Sequence, residues 1–189
     1  MMIWMLTVVP PGSRGYFSRG WCVFEAKLGG LMTPGDMALD IGKIGDLGTL
    51  ERDRWFNPYR GDKTIGKRCA AARELPLTPE QFFEVMDEQG ESGPKIQFTV
   101  ESDRAVIKGL YKTTFDAVIG YARTIDWRGL GWDMQLSALV PILLPAKSTL
   151  LKLDLSVNAL QGTCKSARLR ARFRLTQLKS RSCKLRVQN

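Results

Sequence analysis

The stretch Thr149–Leu160, TLLKLDLSVNAL, carries the clearest structural pattern in the chain. Leu153 and Leu155 lie two residues apart, so in a β-strand both side chains face one side, which we expect to be the interior. The chain is predicted to turn at Asn158, because an amide side chain can hydrogen-bond backbone groups that a turn leaves unpaired. Leu160 then returns to the core. The positions expected to face outward are Lys152, Asp154 and Ser156.

The pattern L-x-x-L-x-L-x-x-N-x-L occurs more than once. In the first stretch its fixed positions are Leu150, Leu153, Leu155, Asn158 and Leu160. A copy follows 25 residues later, although Ser180 replaces an inward leucine. The matching positions of that copy are Leu175, Leu178, Cys183 and Leu185. A third segment, Ile125–Trp132, aligns 28 residues before the first stretch, with Leu130 in place of the asparagine. One unit cannot bury its own apolar face, so we expect the copies to stack.

These segments resemble leucine-rich repeats, and spacings of 25 and 28 residues are most similar to the ribonuclease-inhibitor type. The resemblance covers residues 124–189, about a third of the chain. It implies an α/β protein with a partial α/β domain over residues 1–123, followed by a short, incomplete solenoid of two to three degenerate repeats. The alternative interpretation is a single amphipathic strand at Leu151–Leu155.

The resemblance also implies a function, because repeat arrays present the outer side of their strands to partners. We therefore expect a protein–protein interaction module, with signalling as one setting, whose partner the sequence does not identify. The expected binding face comprises Asp126, Lys152, Asp154, Ser156, Gln177, Lys179 and Arg181.

The positive charge of the chain is concentrated near its end. Residues 1–149 contain 18 Lys+Arg and 18 Asp+Glu, whereas residues 150–189 contain 10 Lys+Arg against Asp154 alone, which gives the net charge of +9. Such a basic segment is an electrostatic footprint for nucleic acid or another acidic surface, and this is an alternative function. Phe173 is its only aromatic residue, so it lacks platforms for base stacking.

Composition excludes several kinds of chemistry. The chain has no histidine, which rules out Ser-His-Asp and Cys-His nucleophile systems and histidine-ligated metals. No two of the four cysteines form a C-x-x-C motif, so zinc-ribbon and thioredoxin-like sites are also excluded. The cysteine usage is typical of reduced thiols in a cytosolic protein, and we predict a cytoplasmic location with no metal and no cofactor. The cysteines are Cys22, Cys69, Cys164 and Cys183.

No segment is expected to enter a membrane. The most apolar tract, Leu136–Ala146, has 11 residues and contains two prolines, whereas a spanning helix needs about 20 residues. Residues 1–9 are apolar, but the first basic residue is Arg14, so the positive start of a signal peptide is missing. We predict that residues 1–9 form a strand buried on both faces. Such a strand has neighbours on either side, so we expect a preceding N-terminal part of the protein; the alternative is a strand at the side of its sheet.

A second resemblance lies in residues 1–28, where a predicted strand is followed by Ser18, then Trp21-Cys22, then Glu25. This order is similar to the S-x-W-C-x-x-E stretch of Toll/interleukin-1 receptor (TIR) domains, with one inserted residue. Ser18 is a candidate N-cap for a helix that begins near Gly20 or Trp21, and the resemblance also implies a helix here. It also implies an alternative function as an NAD glycohydrolase with Glu25 as the candidate catalytic residue. The competing interpretation has Trp21 and Cys22 in the core and Glu25 exposed. Since no complete catalytic signature is present, we favour a protein that is not an enzyme.

The remaining elements are predicted from local signals. Residues 31–77 are rich in glycine and charge and are expected to form loops. Thr78-Pro79-Glu80-Gln81 predicts a capped helix start. Residues 96–100 alternate like a strand, and a helix is predicted from about residue 103 to residue 123. Its apolar stripe comprises Ile107, Leu110, Tyr111, Phe115, Val118, Ile119 and Ala122. Pro141 should kink or end the segment that contains it.

Overall fold

The computed structural model describes residues 3–32, 38–43, 69, 73–91, 93–133, 136–156, 158–160 and 177–179. Helices and small sheets alternate in these ranges, so the prediction of a mixed α/β protein is confirmed. Most of the segment 31–77 lies outside the described residues. The same is true of the predicted repeat positions Leu175, Cys183 and Leu185, and of Arg181 in the predicted face.

The N-terminal part forms a β–α–β unit. Strand β1 (Ile3–Met5) leads through a 3-10 turn into helix α1 (Gly20–Met32), which returns the chain to strand β2 (Ala38–Asp40). The two strands pair in parallel, with Ile3 opposite Ala38 and Met5 opposite Asp40. The predicted helix start near Gly20 is therefore confirmed.

The prediction that residues 1–9 form a strand buried on both faces is wrong in its described part. Strand β1 ends at Met5, and Leu6 and Val8 are 54% and 63% exposed. The pairing stops where Thr7 turns to the end of β2, because its backbone N–H and its hydroxyl both donate to the carboxylate of Asp40. Only β2 pairs with β1 among the described residues, so the sheet is too narrow to cover this apolar segment.

Helix α2 (Pro79–Asp87) begins where the sequence predicts. The Gln81 backbone N–H donates to Thr78 Oγ1 at 3.3 Å, and the Thr78 N–H donates to Gln81 Oε1 at 2.9 Å, which completes a capping box. A short antiparallel pair follows, made of β3 (Gln89–Gly90) and β4 (Gly93–Pro94). The chain then turns toward the third and longest helix.

The predicted strand at residues 96–100 is wrong. Only Gln97 forms a bridge, with Arg19 in the loop before α1. The Gln97 N–H donates to the Ser18 carbonyl at 2.9 Å, and the Gln97 carbonyl accepts from the Gly20 N–H at 3.0 Å. These backbone groups bond a loop and the start of a helix. Among the described residues, the alternating sequence therefore has no neighbouring strand with which to form a ladder.

Helix α3 (Asp103–Gly120) supplies the centre of the core. The predicted stripe is confirmed at four positions that are at most 1% exposed, namely Ile107, Tyr111, Phe115 and Ile119. The prediction is wrong for Leu110, which is 44% exposed and so does not belong to the buried stripe. Leu110 projects about 120° from the middle of the buried stripe, since each residue turns a helix by about 100°. The ring of Tyr111 stacks on Phe82 of α2, with centroids 3.9 Å apart.

The C-terminal part contains a parallel three-stranded sheet in the order β5, β6, β7. Its strands are β5 (Thr124–Asp126), β6 (Lys152–Asp154) and β7 (Gln177–Lys179). Between β5 and β6 the chain forms helix α4 (Leu139–Leu143), flanked by 3-10 turns on both sides. Pro141 is the third residue of α4, where its missing N–H costs no helical bond, and the α-helical segment ends after five residues.

One hydrophobic cluster runs through both parts of the chain, from Val23 to Leu160. Hydrogen bonds also cross the predicted boundary between residues 123 and 124. The Thr149 hydroxyl donates to the Gly120 carbonyl at 2.9 Å, and the Lys152 N–H donates to the Arg123 carbonyl at 3.0 Å. The end of α3 thus fixes the start of β6. The domain boundary between residues 123 and 124 stays a prediction.

Candidate functional site

The three parallel strands bring together residues from the three sequence segments. Ile125 of β5 pairs with Leu153 of β6, which pairs with Leu178 of β7. These residues are 28 and 25 positions apart, so the register equals the offset at which the segments align. Ile125 and Leu153 are buried at 6% and 1% exposure. The apolar residues of β5 and β6 therefore point to one side, as period-two alternation requires.

Asn158 links two of these segments at the turn that follows the strands. It is 5% exposed, and its Oδ1 accepts from the Leu130 N–H at 2.9 Å and from the Trp132 N–H at 3.3 Å. Its Nδ2 donates to the Trp127 carbonyl at 2.6 Å and to the Leu155 carbonyl at 3.1 Å. A carboxamide can accept two hydrogen bonds and donate two, so every bonding position of this side chain is used.

A pair of tryptophans fills the space beneath this turn. Trp127 and Trp132 are 2% and 3% exposed, and their rings meet edge to face with centroids 5.4 Å apart. The indole N–H of Trp132 donates to the backbone carbonyl of Arg73 at 2.8 Å. This bond joins the turn to the segment that precedes α2, so the polar end of a buried tryptophan is satisfied.

The outward side of β5 and β6 carries a small charged cluster. The Arg128 guanidinium donates to both carboxylate oxygens of Asp126, with Nε–Oδ1 at 2.8 Å and Nη2–Oδ2 at 2.7 Å. Arg128 Nε also lies 3.9 Å from Asp154 Oδ2. The other oxygen of Asp154 accepts from the N–H and the hydroxyl of Ser156, at 3.0 and 2.7 Å. Two aspartates on adjacent strands are thus held in place by partners two residues further along.

Sequence reasoning missed Arg128, although the signal was available. Arg128 lies 28 residues before Ser156, the same offset that relates Asp126 to Asp154. Applying that offset to every outward position would have placed Arg128 and Thr124 in the predicted face.

The structure brings together four of the predicted face residues on β5, β6 and the turn after β6. They are Asp126, Lys152, Asp154 and Ser156. Gln177 and Lys179 form part of β7, opposite Lys152 and Asp154, and Arg181 lies outside the described residues. Lys152 and its neighbour Thr124 are both exposed. The described face therefore has a cationic end at Lys152 and a carboxylate-rich end at the two aspartates.

Glu25, the candidate from the TIR resemblance, lies in the second turn of α1 and is exposed, as the competing interpretation expects. That interpretation is wrong for Trp21, which is 42% exposed and donates from its indole N–H to Asp103 Oδ2 at 2.9 Å. Burial, and then the charge of Glu25, raises the pKa of the Cys22 thiol. A raised pKa is the opposite of the lowered pKa that activates a cysteine as a nucleophile.

The chain has no significant match among protein-family models, curated proteins or solved structures. Across the described ranges, no group of three or more cysteine, aspartate and glutamate side chains is arranged to hold a metal ion. No helix within those ranges combines the length and apolar character needed to cross a membrane. The geometry itself defines a mixed α/β protein, and the outward side of β5 and β6 carries a hydrogen-bonded cluster of charged and polar side chains.

Proposed function

We propose that this protein is an interaction module that binds a protein partner through the outward side of β5 and β6. That surface corresponds to the exposed strand face of a leucine-rich-repeat-like array. Both β5 and β6 bury their central residue and expose polar residues on the other side. Asn158 bonds the turns that follow both strands, so the backbone that carries the face is fixed from within.

The single observation that carries the proposal is the register of β5 and β6. Thr124 lies opposite Lys152, and Asp126 lies opposite Asp154. Residues on paired strands lie about 5 Å apart, so these four side chains form one small patch. Because Arg128 and Ser156 hold the two aspartates, the carboxylates meet a partner with little further loss of conformational entropy.

The chemistry of the patch indicates what the partner offers. A polar face of mixed charge binds a partner whose charges are complementary. This complementarity governs the specificity and the association rate of binding more than the affinity. We expect a basic side chain of the partner beside Asp154 and an acidic side chain beside Lys152. A single charge reversal at Lys152 should consequently weaken binding without disturbing the fold, since Lys152 is exposed.

The test compares Lys152→Glu with Lys147→Glu. Lys147 is also exposed and changes charge by the same amount, but it lies outside the sheet, after the 3-10 turn Leu144–Ala146. A photo-reactive residue at Thr124 identifies the partner in cells, and binding of that partner to each variant is then measured by titration. We expect about tenfold weaker binding for Lys152→Glu and parental binding for Lys147→Glu. The β5–β6 face would be rejected as the binding site if the two variants had equal effects. It would also be rejected if the same adducts formed from a photo-reactive residue at Ala117, on the exposed side of α3.

Salt dependence and truncation separate this proposal from the nucleic-acid alternative, because Lys152 itself belongs to the basic segment of residues 150–189. Binding to nucleic acid through a basic segment depends on total charge and falls steeply with salt. Under that alternative, RNA binding would fall steeply as salt is raised and would be abolished by removal of the residues after Gln161. The basic residues that support it lie mostly outside the described residues.

A further inference from the structure

Arg73 is a buried cation beside the carboxyl end of α1. The residue is 8% exposed, and its Nη2 donates to the Gly30 carbonyl and, at 3.5 Å, to the Gly29 carbonyl. Nη1 is also buried, but within the described part of the chain no atom accepts a hydrogen bond from it. Leaving a buried charged donor unpaired is costly, so this nitrogen is a specific point at which a ligand would gain affinity.

Arg73 is one of the residues that line a small cavity of about 60 Å³. Its walls are mainly apolar and include Met5, Phe17, Ala26, Leu75 and Pro76. A water molecule needs roughly 10–15 Å³ of such space, so the cavity takes a group of a few heavy atoms. It lies between α1 and the segment that precedes α2. Its lining residues come from a different part of the sequence than the β5–β6 face.

Among the described residues that line the cavity, one positive charge, that of Arg73, has no acidic partner. Lys27 lines the cavity and forms an ion pair with Glu74, so these two residues neutralise each other. Burial lowers the pKa of Arg73 to about 10, which keeps the guanidinium charged at neutral pH. The net local charge is therefore +1, which suits a monoanion better than a phosphate group that carries two charges.

We propose that this cavity binds the carboxylate group of an organic acid. The carboxylate accepts a hydrogen bond from Arg73 Nη1, and the adjoining carbons contact the apolar walls formed by Met5 and Leu75. A free monocarboxylic acid and the C-terminal carboxylate of a peptide present the same chemistry to this site. This inference is independent of the protein-interaction face, which uses other residues.

The test measures binding of hexanoate to the full-length protein by calorimetry at constant ionic strength, with hexanamide as the uncharged isostere. We expect hexanoate to bind about tenfold more tightly than hexanamide, or more, because the amide oxygen is an uncharged acceptor and makes a weaker hydrogen bond to the guanidinium. A pair of acetylated tripeptides, one with a free C-terminus and one amidated, then distinguishes the two sources of the carboxylate. Equal binding of hexanoate and hexanamide, or no binding of any carboxylate in the millimolar range, would overturn the proposal.

Two variants locate the site without removing Arg73, whose bonds to Gly29 and Gly30 also hold the end of α1. Ala26→Leu fills the cavity from α1, whereas Ala117→Leu makes the same change on the exposed side of α3. Carboxylate binding should fall about tenfold or more in the first variant and stay unchanged in the second. Circular dichroism checks that both variants fold. If Ala26→Leu folds and binds hexanoate like the parent protein, the acid binds elsewhere and the assignment is wrong.

Discussion

The two small parallel sheets of this protein are built alike but stabilised differently. Strands β1 and β2 are joined by a helix and end in an exposed apolar segment, in which Leu6 and Val8 face solvent. The turn after β5 contains the buried residues Leu130 and Trp132, and the turn after β6 contains the buried residue Asn158. Parallel pairing alone is thus insufficient to bury a strand. What distinguishes the second sheet is a turn whose polar groups are satisfied inside the core.

The polar contact at the end of each sheet shows the difference most directly. In the first sheet, Thr7 bonds the carboxylate of Asp40 in a partly buried environment. In the second sheet, Asn158 makes four hydrogen bonds, three of them to the turn that follows β5. Buried and fully satisfied networks stabilise a unique packing, and they are costly to break.

The largest expected effect follows from removing that network. Asn158→Ala leaves two buried N–H groups and two carbonyls without their partner, and we expect a loss of about 3–5 kcal/mol in the free energy of unfolding. Thr7→Val, the matched change in the first sheet, should cost about 1 kcal/mol. Urea unfolding followed by circular dichroism measures both values. A loss below about 1 kcal/mol for Asn158→Ala would mean that the turn is not stabilised by this side chain.

How much the sequence could predict also differs between the two sheets. The register of β5 and β6 follows from aligning two copies of one pattern, because a one-residue slip would move Ile125 and Leu153 to the outer face. No such repetition constrains residues 1–9. A run of apolar residues there predicts burial, but it does not reveal that only β2 pairs with β1 among the described residues.

The second prediction compares a buried leucine of one sheet with an exposed leucine of the other. Leu153 is 1% exposed and Leu6 is 54% exposed. Leu153→Ala should lower the free energy of unfolding by about 2–5 kcal/mol, since it removes buried methyl groups and leaves a cavity. Leu6→Ala should change it by less than about 0.5 kcal/mol. Thermal and urea unfolding of both variants provide the measurement. Similar losses for the two variants would show that residue 6 is covered in solution.

The candidate sites illustrate a further limit of sequence reasoning. The outward residues of β6 are predictable from alternation alone, because neighbouring positions of a strand alternate between its two faces. Arg73 is not predictable in this way. It lies in a segment without periodicity, and its burial depends on Gly29 and Gly30 at the end of a helix more than 40 residues earlier. A long-range contact of this kind leaves no local signal in the sequence.

A smaller effect is expected from the titration of Tyr16 in the N-terminal unit. Burial, followed by the charges of Cys22, Glu25 and Asp40, raises the pKa of Tyr16 to about 12 from its ordinary value of 10.0. A raised pKa means that the neutral phenol contributes stability below pH 10, and that this contribution is lost as the pH rises through 12.

Tyr16→Phe should therefore make the free energy of unfolding less dependent on pH between about 10 and 12. We expect a difference of about 1 kcal/mol, a value reduced for the partial exposure of the ring. Tyr121→Phe is the control, because Tyr121 is 79% exposed. Urea unfolding across this pH range tests the prediction. Parallel profiles for the parent protein and Tyr16→Phe would show that the phenol is solvated, and would sharpen the contrast between the first sheet and the better buried second sheet.

The smallest expected effect concerns Glu25 and NAD. Glu25 is exposed on α1, whereas a carboxylate that acts on a substrate must be held in a fixed geometry beside the reacting atoms. We expect the parent protein to release no more nicotinamide than Glu25→Ala does. Chromatography after prolonged incubation with NAD measures this release. Glu84→Ala, an equivalent change on the exposed side of α2, controls for the loss of one surface charge. Turnover that disappears in Glu25→Ala but persists in Glu84→Ala would make the N-terminal unit the catalytic region. Catalysis would then be the principal function of the protein, and the β5–β6 face would serve to recruit the enzyme to its partner.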